Sequence, residues 1–317
     1  MTRALTILGT AAQSPTASRN QNGYLLRWDN EVILFDPGEG TQRQMLLAHV
    51  SAASLTRICI THFHGDHCLG LPGVLQRRSL DPKPAPIDVH YPASGHAHID
   101  AFLAATVWDA ESLELRLRPM NDAASIALDE HSRLVAKALD HTTDTLGWRI
   151  EEAPRRHLDV ERLVDLGIEG PAIGRLRAQG WLERNGRHID IADVSTIAPG
   201  QRFALVMDTR RCAAASELAD ATDLLVIEST YLESEAELAA PHGHLTAREA
   251  AEVAREANAR RTVLTHFSNR YADLSAFAEQ TRDIVEDCIV GTDLTVVAVP
   301  RRQDADRGHS RDFGPFR

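Results

Sequence analysis

The sequence predicts an α/β fold built from two similar halves, and three observations support this prediction. Short apolar runs with strand character alternate with helical segments along the 317-residue chain. Several of these runs end in histidine or aspartate, which indicates that strand ends gather metal-binding side chains. A stretch rich in glycine and proline, from residue 149 to residue 196, interrupts the alternation. Two such halves facing each other suit a four-layer αββα sandwich.

The individual elements follow from the apolar patterning. Strands are expected at residues 5–9, 23–28, 32–35 and 57–60, and helices at residues 42–49 and 99–106. The same alternation runs from residue 134 to residue 299. Thr246 and Glu249 have the spacing of a capping box, which predicts a helix start at Thr246.

The densest chemical signal is the segment Thr61-His62-Phe63-His64-Gly65-Asp66-His67, which follows the expected strand at residues 57–60. Three histidines and one aspartate within six residues can surround a cation at the strand end. Imidazole and carboxylate together suit Zn²⁺ and its first-row neighbours. A solvated loop that happens to be rich in histidine is the alternative, but the density of ligands favours a metal site.

Three further apolar runs end in a residue that can bind metal. These residues are His141, Asp208 and His266. Taken singly, a histidine or aspartate after a strand is more often a capping or surface residue. Taken together with the dense motif, they predict that four strand ends converge on one metal centre.

The motifs resemble those of the metallo-β-lactamase superfamily and, within it, the ribonuclease Z family, which matures the 3′ end of transfer RNA. The H-x-H-x-D-H string with later His, Asp and His resembles the superfamily. Four other segments resemble ribonuclease Z more narrowly: Phe35-Asp36-Pro37-Gly38-Glu39-Gly40-Thr41-Gln42, Gly65-Asp66-His67-Cys68-Leu69-Gly70-Leu71-Pro72-Gly73, Glu228-Ser229-Thr230-Tyr231 with His244-Leu245-Thr246, and Thr265-His266-Phe267-Ser268-Asn269-Arg270-Tyr271. The resemblance extends from about residue 5 to about residue 300.

The resemblance implies a fold, a cofactor and a reaction. The fold is the metallo-β-lactamase four-layer αββα sandwich with an inserted flexible arm, and the cofactor is two zinc ions per chain. The reaction is removal of the 3′ trailer from precursor tRNA, which leaves a 3′-hydroxyl on the tRNA and a 5′-phosphate on the trailer. The family also implies a homodimer.

The resemblance also assigns roles to residues. One zinc would be bound by His62, His64 and His141, the other by Asp66, His67 and His266, with Asp208 between them. Asp66 would orient the nucleophile, and His244, oriented by Glu228, would protonate the leaving oxygen. Asp36 would support the loop beneath the metals. Substrate contacts are expected from Arg19, Asn20, Gly170, Pro171 and Arg270.

Two positions depart from the family pattern. The family often has a Pro-x-Lys-x-Arg-Asn loop, whereas this chain has Pro15-Thr16-Ala17-Ser18-Arg19-Asn20. That loop is linked in the family to sensing an encoded CCA end, so Ala17 leaves this discrimination open. The serine of the family's His-Ser-Thr is replaced by Leu245, while the flanking histidine and threonine remain.

Composition bounds the partners and the compartment. A net charge of −11 argues against a broad basic face for RNA, so any RNA contact must be local. Lys83 and Lys137 are the only lysines, so arginine supplies nearly all of the positive charge. Candidate local sites are therefore Arg77-Arg78 and Arg155-Arg156-His157. No apolar run approaches the ~20 residues that span a bilayer. The four cysteines lack C-x-x-C spacing, which predicts reduced thiols in a cytoplasmic protein.

The expected domain organisation is one metallo-β-lactamase-like domain over residues 1–300. Residues 150–195 would form the inserted arm, a tRNA-binding exosite, and residues 301–317 a disordered tail. Two other functions fit parts of the pattern. One is a small-molecule metallo-hydrolase on the same fold, such as a cyclic-nucleotide phosphodiesterase, a lactonase or an arylsulfatase-like enzyme. The other is a metal-free RNA-binding or scaffold module, which would have lost metal ligands.

Overall fold

Two seven-stranded β-sheets form the centre of the protein in this computed structural model, which describes residues 3–302. The first sheet contains β1 (Ala4–Gly9), β2 (Gly23–Trp28), β3 (Glu31–Phe35), β4 (Arg57–Cys59), β5 (Ile87–Pro92), β6 (Leu115–Met120) and β18 (Val296–Ala298), in the order β18-β1-β2-β3-β4-β5-β6. The second contains β7 (Ser125–Ala127), β8 (Ser132–Leu139), β9 (Thr145–Glu152), β14 (Arg202–Val206), β15 (Leu224–Glu228), β16 (Thr262–Thr265) and β17 (Cys288–Val290), in the order β17-β16-β15-β14-β9-β8-β7.

Helices cover the outer face of each sheet. The first sheet carries α1 (Thr41–Leu47), α2 (Gly65–Cys68), α3 (Leu71–Ser79) and α4 (His96–Ala104); the second carries α7 (Ala213–Ala219), α8 (Ala236–His242), α9 (Ala247–Glu256) and α10 (Ser275–Thr281). Short 3₁₀ turns lie at Ala52–Ser54, Ala93–Gly95, Ala110–Ser112 and Glu233–Glu235. The capping box predicted at Thr246 opens α9, where Thr246 and Glu249 satisfy each other's backbone N–H groups.

Three apolar cores hold these layers together. The central core lies between the sheets and joins residues such as Tyr24 and Phe35 of the first to Trp148 and Phe203 of the second. A second core packs the first sheet against α1, α3 and α4, and a third packs the second sheet against α7, α9 and α10. The arrangement is helix, sheet, sheet, helix, which confirms the predicted four-layer sandwich.

Strand direction explains where polar side chains collect. In the first sheet β3, β4, β5 and β6 run parallel, and in the second β14, β15, β16 and β17 run parallel. Because parallel strands present their carboxyl ends at one edge, residues that follow them become neighbours. Asp36 follows β3, Asp208 lies two residues after β14, Glu228 ends β15 and His266 follows β16.

The segment Glu152–Gln201 forms a separate compact unit. It contains β10 (Arg155–Leu158), α5 (Val160–Asp165), α6 (Pro171–Gln179), β11 (Trp181–Arg184), β12 (Arg187–Asp190), a 3₁₀ turn at Ile191–Val194, and β13 (Ser195–Ala198). β10 pairs with β13 and β11 pairs with β12, both antiparallel. Its small core contains Leu163, Ile168, Leu176 and Val194. The interruption predicted over residues 150–195 is therefore an independently packed unit with regular structure.

The strands expected at residues 5–9, 23–28, 32–35 and 57–60 are all present, with ends that differ by at most one residue. The helix expected at residues 99–106 begins earlier, at His96, and ends at Ala104. Among the described residues, no helix combines the length and apolar character that crossing a membrane requires. The tail predicted over residues 301–317 lies outside the described residues from residue 303 onward.

Candidate dinuclear metal centre

The structure brings the dense histidine motif and the three later strand ends to one place. The first ligand set contains His62, His64, His141 and Asp208, whose ligand atoms all lie within 4.8 Å of one another. His62 Nε2 lies 3.0 Å from His64 Nδ1, and His141 Nε2 lies 3.4 Å from the same atom. Three imidazole nitrogens and a carboxylate oxygen therefore face a common point.

A second set, formed by Asp66, His67 and His266, lies on the other side of Asp208. The Nε2 atoms of His67 and His266 are 3.3 Å apart, and each lies 3.4 Å from Asp66 Oδ2. Asp208 faces both sets, because its Oδ2 is 3.5 Å from His62 Nε2 and its Oδ1 is 3.2 Å from His266 Nε2. One carboxylate thus lies between two ligand sets, as a bridge requires.

Hydrogen bonds on the outer side of the rings fix which nitrogen is free to bind metal. Asp36 accepts hydrogen bonds from Thr61 N at 2.7 Å and Thr61 Oγ1 at 2.8 Å. Since the Thr61 hydroxyl donates to Asp36, it accepts from His62 Nδ1 at 3.0 Å. His67 Nδ1 also donates to Asp36, at 2.8 Å. Both rings carry their proton on Nδ1, so the inward Nε2 atoms present lone pairs.

Thr230 plays the corresponding role for His266 in the second half. Its hydroxyl donates to Glu228 Oε2 at 2.6 Å and accepts from His266 Nδ1 at 2.7 Å. His141 Nδ1 donates to the carbonyl of Gly243 at 2.9 Å. Four of the five candidate histidine ligands are therefore oriented by a partner on the side away from the shared point, the arrangement that metal-binding histidines usually have.

The donor set fits divalent metal ions. Inward lone pairs at about 3 Å from one another repel unless a cation lies between them, and a buried carboxylate needs positive charge nearby. Asp208 Oδ1 is buried and receives no hydrogen bond. Burial lowers the pKa values of His62, His64 and His141, which keeps these rings neutral and able to bind metal. Burial acts in the same direction on His67, but the carboxylates of Asp208, Asp66 and Asp36 raise its pKa, which reflects negative charge that a bound cation would balance. The site therefore has the chemistry of a metal centre.

Three residues of the centre have left-handed backbone conformations. Asp36 has φ 46°, Asp208 has φ 43° and His266 has φ 59°. Such values are uncommon for residues other than glycine and persist where surrounding contacts hold them. Each residue lies just beyond the end of a parallel strand. The left-handed turn redirects the chain there and orients the side chain toward the centre.

A buried ion pair lies beside the metal ligands. His244 Nδ1 is 3.1 Å from Glu228 Oε1, and Glu228 also accepts from Thr209 N at 2.7 Å. Burial alone would lower the pKa of His244, but the charge and hydrogen bond of Glu228 raise it to about 9. Burial opposes ionisation of Glu228, yet His244 lowers its pKa. The pair is an imidazolium held by a carboxylate, and the imidazolium can donate a proton.

These groups line a cleft of about 720 Å³. Its wall includes His64, Asp66, His141, Asp208, His244 and His266 from the centre, together with Gln13, Thr230, Tyr231, Ser268, Asn269 and Arg270. The guanidinium of Arg270 lies over the Tyr231 ring, 5.3 Å from its centroid. An imidazolium, a guanidinium and the ligand sets thus face one solvent-accessible space, which suits an anionic substrate.

The other predicted substrate residues lie elsewhere. Arg19 is buried and donates hydrogen bonds to the carbonyls of Tyr271 and Ser268, at 2.8 and 3.1 Å. Asn20 Nδ2 donates to the carbonyl of Glu39 at 2.8 Å. Gly170 and Pro171 are exposed at the start of α6, in the separate unit.

The basic pair Arg77-Arg78, expected as a local RNA contact, is only half available. Arg78 is 1% exposed, and its guanidinium donates to the carbonyls of Ala52 at 3.1 Å and Ala85 at 2.6 Å. The prediction was therefore wrong for Arg78, because the side chain ties helix α3 to two neighbouring segments. Leu245, which replaces the family serine, is fully buried in the third core, where an apolar side chain fits.

Sequence reasoning missed several residues that support the centre. Gly243 has φ 79°, and its carbonyl accepts the hydrogen bond of His141 Nδ1. A Cβ at this position would lie 2.6 Å from that nitrogen. Gln13 N donates to Asp66 Oδ2 at 2.8 Å. In the sequence, the one sign of the Gly243 contact was a glycine placed between two histidines, His242 and His244. No comparable pattern marked Gln13.

Comparisons with known proteins agree with this geometry. Residues 18–160 match the metallo-β-lactamase superfamily, and residues 173–267 match a β-lactamase superfamily domain. A Ribonuclease Z from Salinispora arenicola is 52% identical over 95% of this chain and 98% of its own length. A Ribonuclease Z from Streptomyces coelicolor is 50% identical over 95% and 99%. The crystal structure of the short form of human tRNase Z aligns with a TM-score of 0.65 and 26% identity, covering 94% of this chain and 100% of the human chain.

Proposed function

The chain belongs to the ribonuclease Z family of the metallo-β-lactamase superfamily, and from that premise we propose that it cuts precursor tRNA endonucleolytically and removes the 3′ trailer. The products are a tRNA with a 3′-hydroxyl and a trailer with a 5′-phosphate. The observation that carries this proposal is the position of His244, held from behind by the buried Glu228, in the cleft lined by residues of two ligand sets that share Asp208. Cations that neutralise charge on the phosphate and a proton donor for the departing oxygen both accelerate phosphodiester cleavage.

We assign two zinc ions per chain to the centre. His62, His64 and His141 would hold one ion, Asp66, His67 and His266 the other, and Asp208 would bridge them. Mixed imidazole and carboxylate donors suit zinc. When bound, the metal ions would polarise the phosphodiester and lower the pKa of a bound water molecule to about 7.

The chain's own residues supply orientation and proton transfer. Asp66 lies at the cleft wall, and its Oδ2 is held by the N–H of Gln13, so the carboxylate has a fixed direction in which to orient the attacking water. Glu228 holds His244 Nδ1, which leaves Nε2–H as the proton that His244 can donate to the leaving 3′ oxygen. Thr209 and Thr230 fix Glu228 in turn.

We propose that Arg270 and the separate unit contact the substrate without taking part in bond cleavage. Arg270 lines the cleft and can pair with a phosphate next to the scissile bond. The unit Glu152–Gln201 would serve as the tRNA-binding arm, with Gly170 and Pro171 exposed at its surface. Arg155 and Arg156 are both exposed on β10 of the same unit, where Arg155 pairs with Glu152 and Arg156 donates to Ser195 Oγ. An acidic protein can bind RNA through such local basic surfaces.

We also propose a homodimer that works in the cytoplasm. Leu46 and Leu47, adjacent on α1, are 68% and 45% exposed, and such an exposed pair of leucines is a candidate protein contact. Light scattering on the purified protein tests the dimer, with Leu46→Lys/Leu47→Lys expected to yield monomer. Val107→Lys, at another exposed apolar position, is the matched control. The free thiols of all four cysteines agree with a reducing compartment.

The direct test is incubation with a labelled precursor tRNA that carries a 3′ trailer, with and without a chelator. Cleavage after the discriminator nucleotide, abolished by chelator and restored by added zinc, is expected. An intact precursor, together with hydrolysis of small phosphodiesters, would contradict the proposal and favour a small-molecule hydrolase.

A further inference from the structure

Two loops form one side of the cleft, and a buried arginine joins them. The first cleft loop, residues 10–22, connects β1 to β2; the second, residues 266–274, connects β16 to α10. Phe267 N donates to the carbonyl of Thr10 at 2.8 Å, and Ala12 N donates to the carbonyl of Phe267 at 3.0 Å. Beyond this short pairing, the side chain of Arg19 makes the next connection.

Arg19 spans a tight turn in the second cleft loop. Tyr271 N donates to the carbonyl of Ser268 at 3.3 Å, so residues 268–271 form a β-turn with Asn269 and Arg270 at its centre. Arg19 donates through Nη1 to the carbonyl of Tyr271 and through Nη2 to the carbonyl of Ser268. One guanidinium thus holds the first and last residues of the turn, which only a planar group with several fixed N–H donors can do.

The turn carries the side chains that face the cleft. Asn269 and Arg270 both line it. Arg270 Nε donates to Ser268 Oγ at 3.3 Å, and its Nη1 pairs with Glu235 Oε1, a partner that an RNA phosphate would have to share or replace. Arg19 itself is 8% exposed, so a phosphate could reach it only after both of its carbonyl bonds had broken. A fixed turn reduces the conformational entropy that Arg270 loses when it binds an anion.

We propose that Arg19 is a positioning residue that acts through Arg270: it fixes the 268–271 turn, and Arg270 contacts the RNA. This inference rests on the proposed cleavage of precursor tRNA. It assigns the arginine of the first cleft loop to the scaffold of the substrate site, although the sequence alone suggested direct contact with the RNA. It also makes the two loops one unit whose geometry decides how well the phosphate beside the scissile bond is held.

A double-mutant cycle tests the coupling between Arg19 and Arg270. Arg270→Ala should raise the KM for precursor tRNA about tenfold, the effect of losing roughly one phosphate contact. Arg19→Lys keeps the charge but cannot hold both carbonyls, so it should raise the KM by a similar factor. The double variant should have the KM of Arg270→Ala alone, because Arg19 has nothing left to position.

Arg78 provides a matched control, since it is also a buried arginine whose guanidinium donates to backbone carbonyls, those of Ala52, Ala53 and Ala85. Arg78→Lys should lower the melting temperature and leave the KM unchanged. Hydrogen exchange of the Tyr271 amide, measured without RNA, should speed up in Arg19→Lys and not in Arg78→Lys. If Arg19→Lys does not fold, Arg19→Gln replaces it.

Two outcomes would overturn the inference. One is a KM effect of Arg19→Lys that multiplies with that of Arg270→Ala, which would mean independent action on the RNA. The other is unchanged exchange at Tyr271. A wild-type protein that fails to cut precursor tRNA would instead contradict the proposed function. The exchange experiment would still test whether Arg19 holds the 268–271 turn.

Discussion

His244 Nδ1 lies 3.1 Å from Glu228 Oε1, and His244 lines the cleft to which both ligand sets contribute residues. Glu228 is fully buried, so its charge acts on His244 with little screening by solvent. This single contact orients the imidazole and raises its pKa to about 9. Although His244 lies close to Asp208 and His266, neither of the two ligand sets includes it, so proton donation and metal binding can be tested with different variants.

Replacement of His244 by alanine should lower activity in a way that depends on the leaving group. Loss of one positioned general acid typically costs ~10²–10⁴-fold. We expect a loss of that size for precursor tRNA, whose leaving ribose oxygen needs a proton, and a much smaller loss for bis-p-nitrophenyl phosphate. Steady-state kinetics on both substrates, with zinc content measured in parallel, test this. Equal losses on both would mean that His244 supports folding or binding instead.

The pH dependence of cleavage should reveal the influence of Glu228. His244 must be protonated to act, so kcat/KM for precursor tRNA should fall as the pH rises through its pKa. Glu228 raises that pKa; Glu228→Gln removes the charge, and the alkaline decline should move to lower pH by one unit or more. Bound metal ions act on both proteins alike, so the difference between the two profiles is the measurement. Coincident profiles would exclude Glu228 as the cause.

Removal of one ligand should remove metal and all chemistry. His141→Ala takes one imidazole from the set that contains His62, His64 and Asp208. We expect about two zinc ions per chain in the parent and fewer in the variant, by the ligand count of the two sets. Activity should be lost on both precursor tRNA and bis-p-nitrophenyl phosphate. His131→Ala, an exposed histidine outside the centre, should keep metal and activity. Full activity in a metal-depleted His141→Ala would end the dinuclear assignment.

Gly243→Ala should damage the centre without touching a ligand. Gly243 has φ 79°, and a Cβ there would lie 2.6 Å from His141 Nδ1. A left-handed alanine costs roughly 1–2 kcal/mol, and the collision would also displace His141. Gly180→Ala is the matched control, because φ is 83° there and nothing lies within 4 Å of the added Cβ. Both variants should be less stable, and only Gly243→Ala should lose zinc and bis-p-nitrophenyl phosphate hydrolysis.

Prediction from sequence succeeded where one local pattern determines the structure. Apolar runs such as that before His266 mark buried strands, and their polar last residues mark the cleft, so the ligand candidates could be named in advance. The hydrogen bonds that pass through Thr61 and Thr230 could not, because they connect Asp36 to His62 and Glu228 to His266, pairs that are distant in the chain. For the same reason the burial of Arg19 was missed: its partners lie about 250 residues away, and an arginine in a polar loop looks exposed.

The last prediction concerns the separate unit Glu152–Gln201. Its two ends are adjacent, because Glu151 pairs with Arg202 in the antiparallel β9–β14 ladder and Glu152 N donates to the carbonyl of Gln201 at 3.0 Å. Residues 153–200 can therefore be replaced by a short Gly/Ser turn. The deletion removes a complete small core and leaves the three cores of the sandwich intact.

The deletion variant should keep the chemistry and lose RNA affinity. All groups of the metal centre lie outside the deleted segment, so bis-p-nitrophenyl phosphate hydrolysis should be nearly unchanged. The KM for precursor tRNA should rise by an order of magnitude or more, since binding far from the scissile bond is what is lost. The salt dependence of kcat/KM should also weaken, because phosphate contacts disappear with the exposed arginines of the unit. Pro171→Ala in the full-length chain tests whether the Gly170-Pro171 corner carries part of the effect. An unaltered KM in the deletion variant would show that the unit does not bind the tRNA.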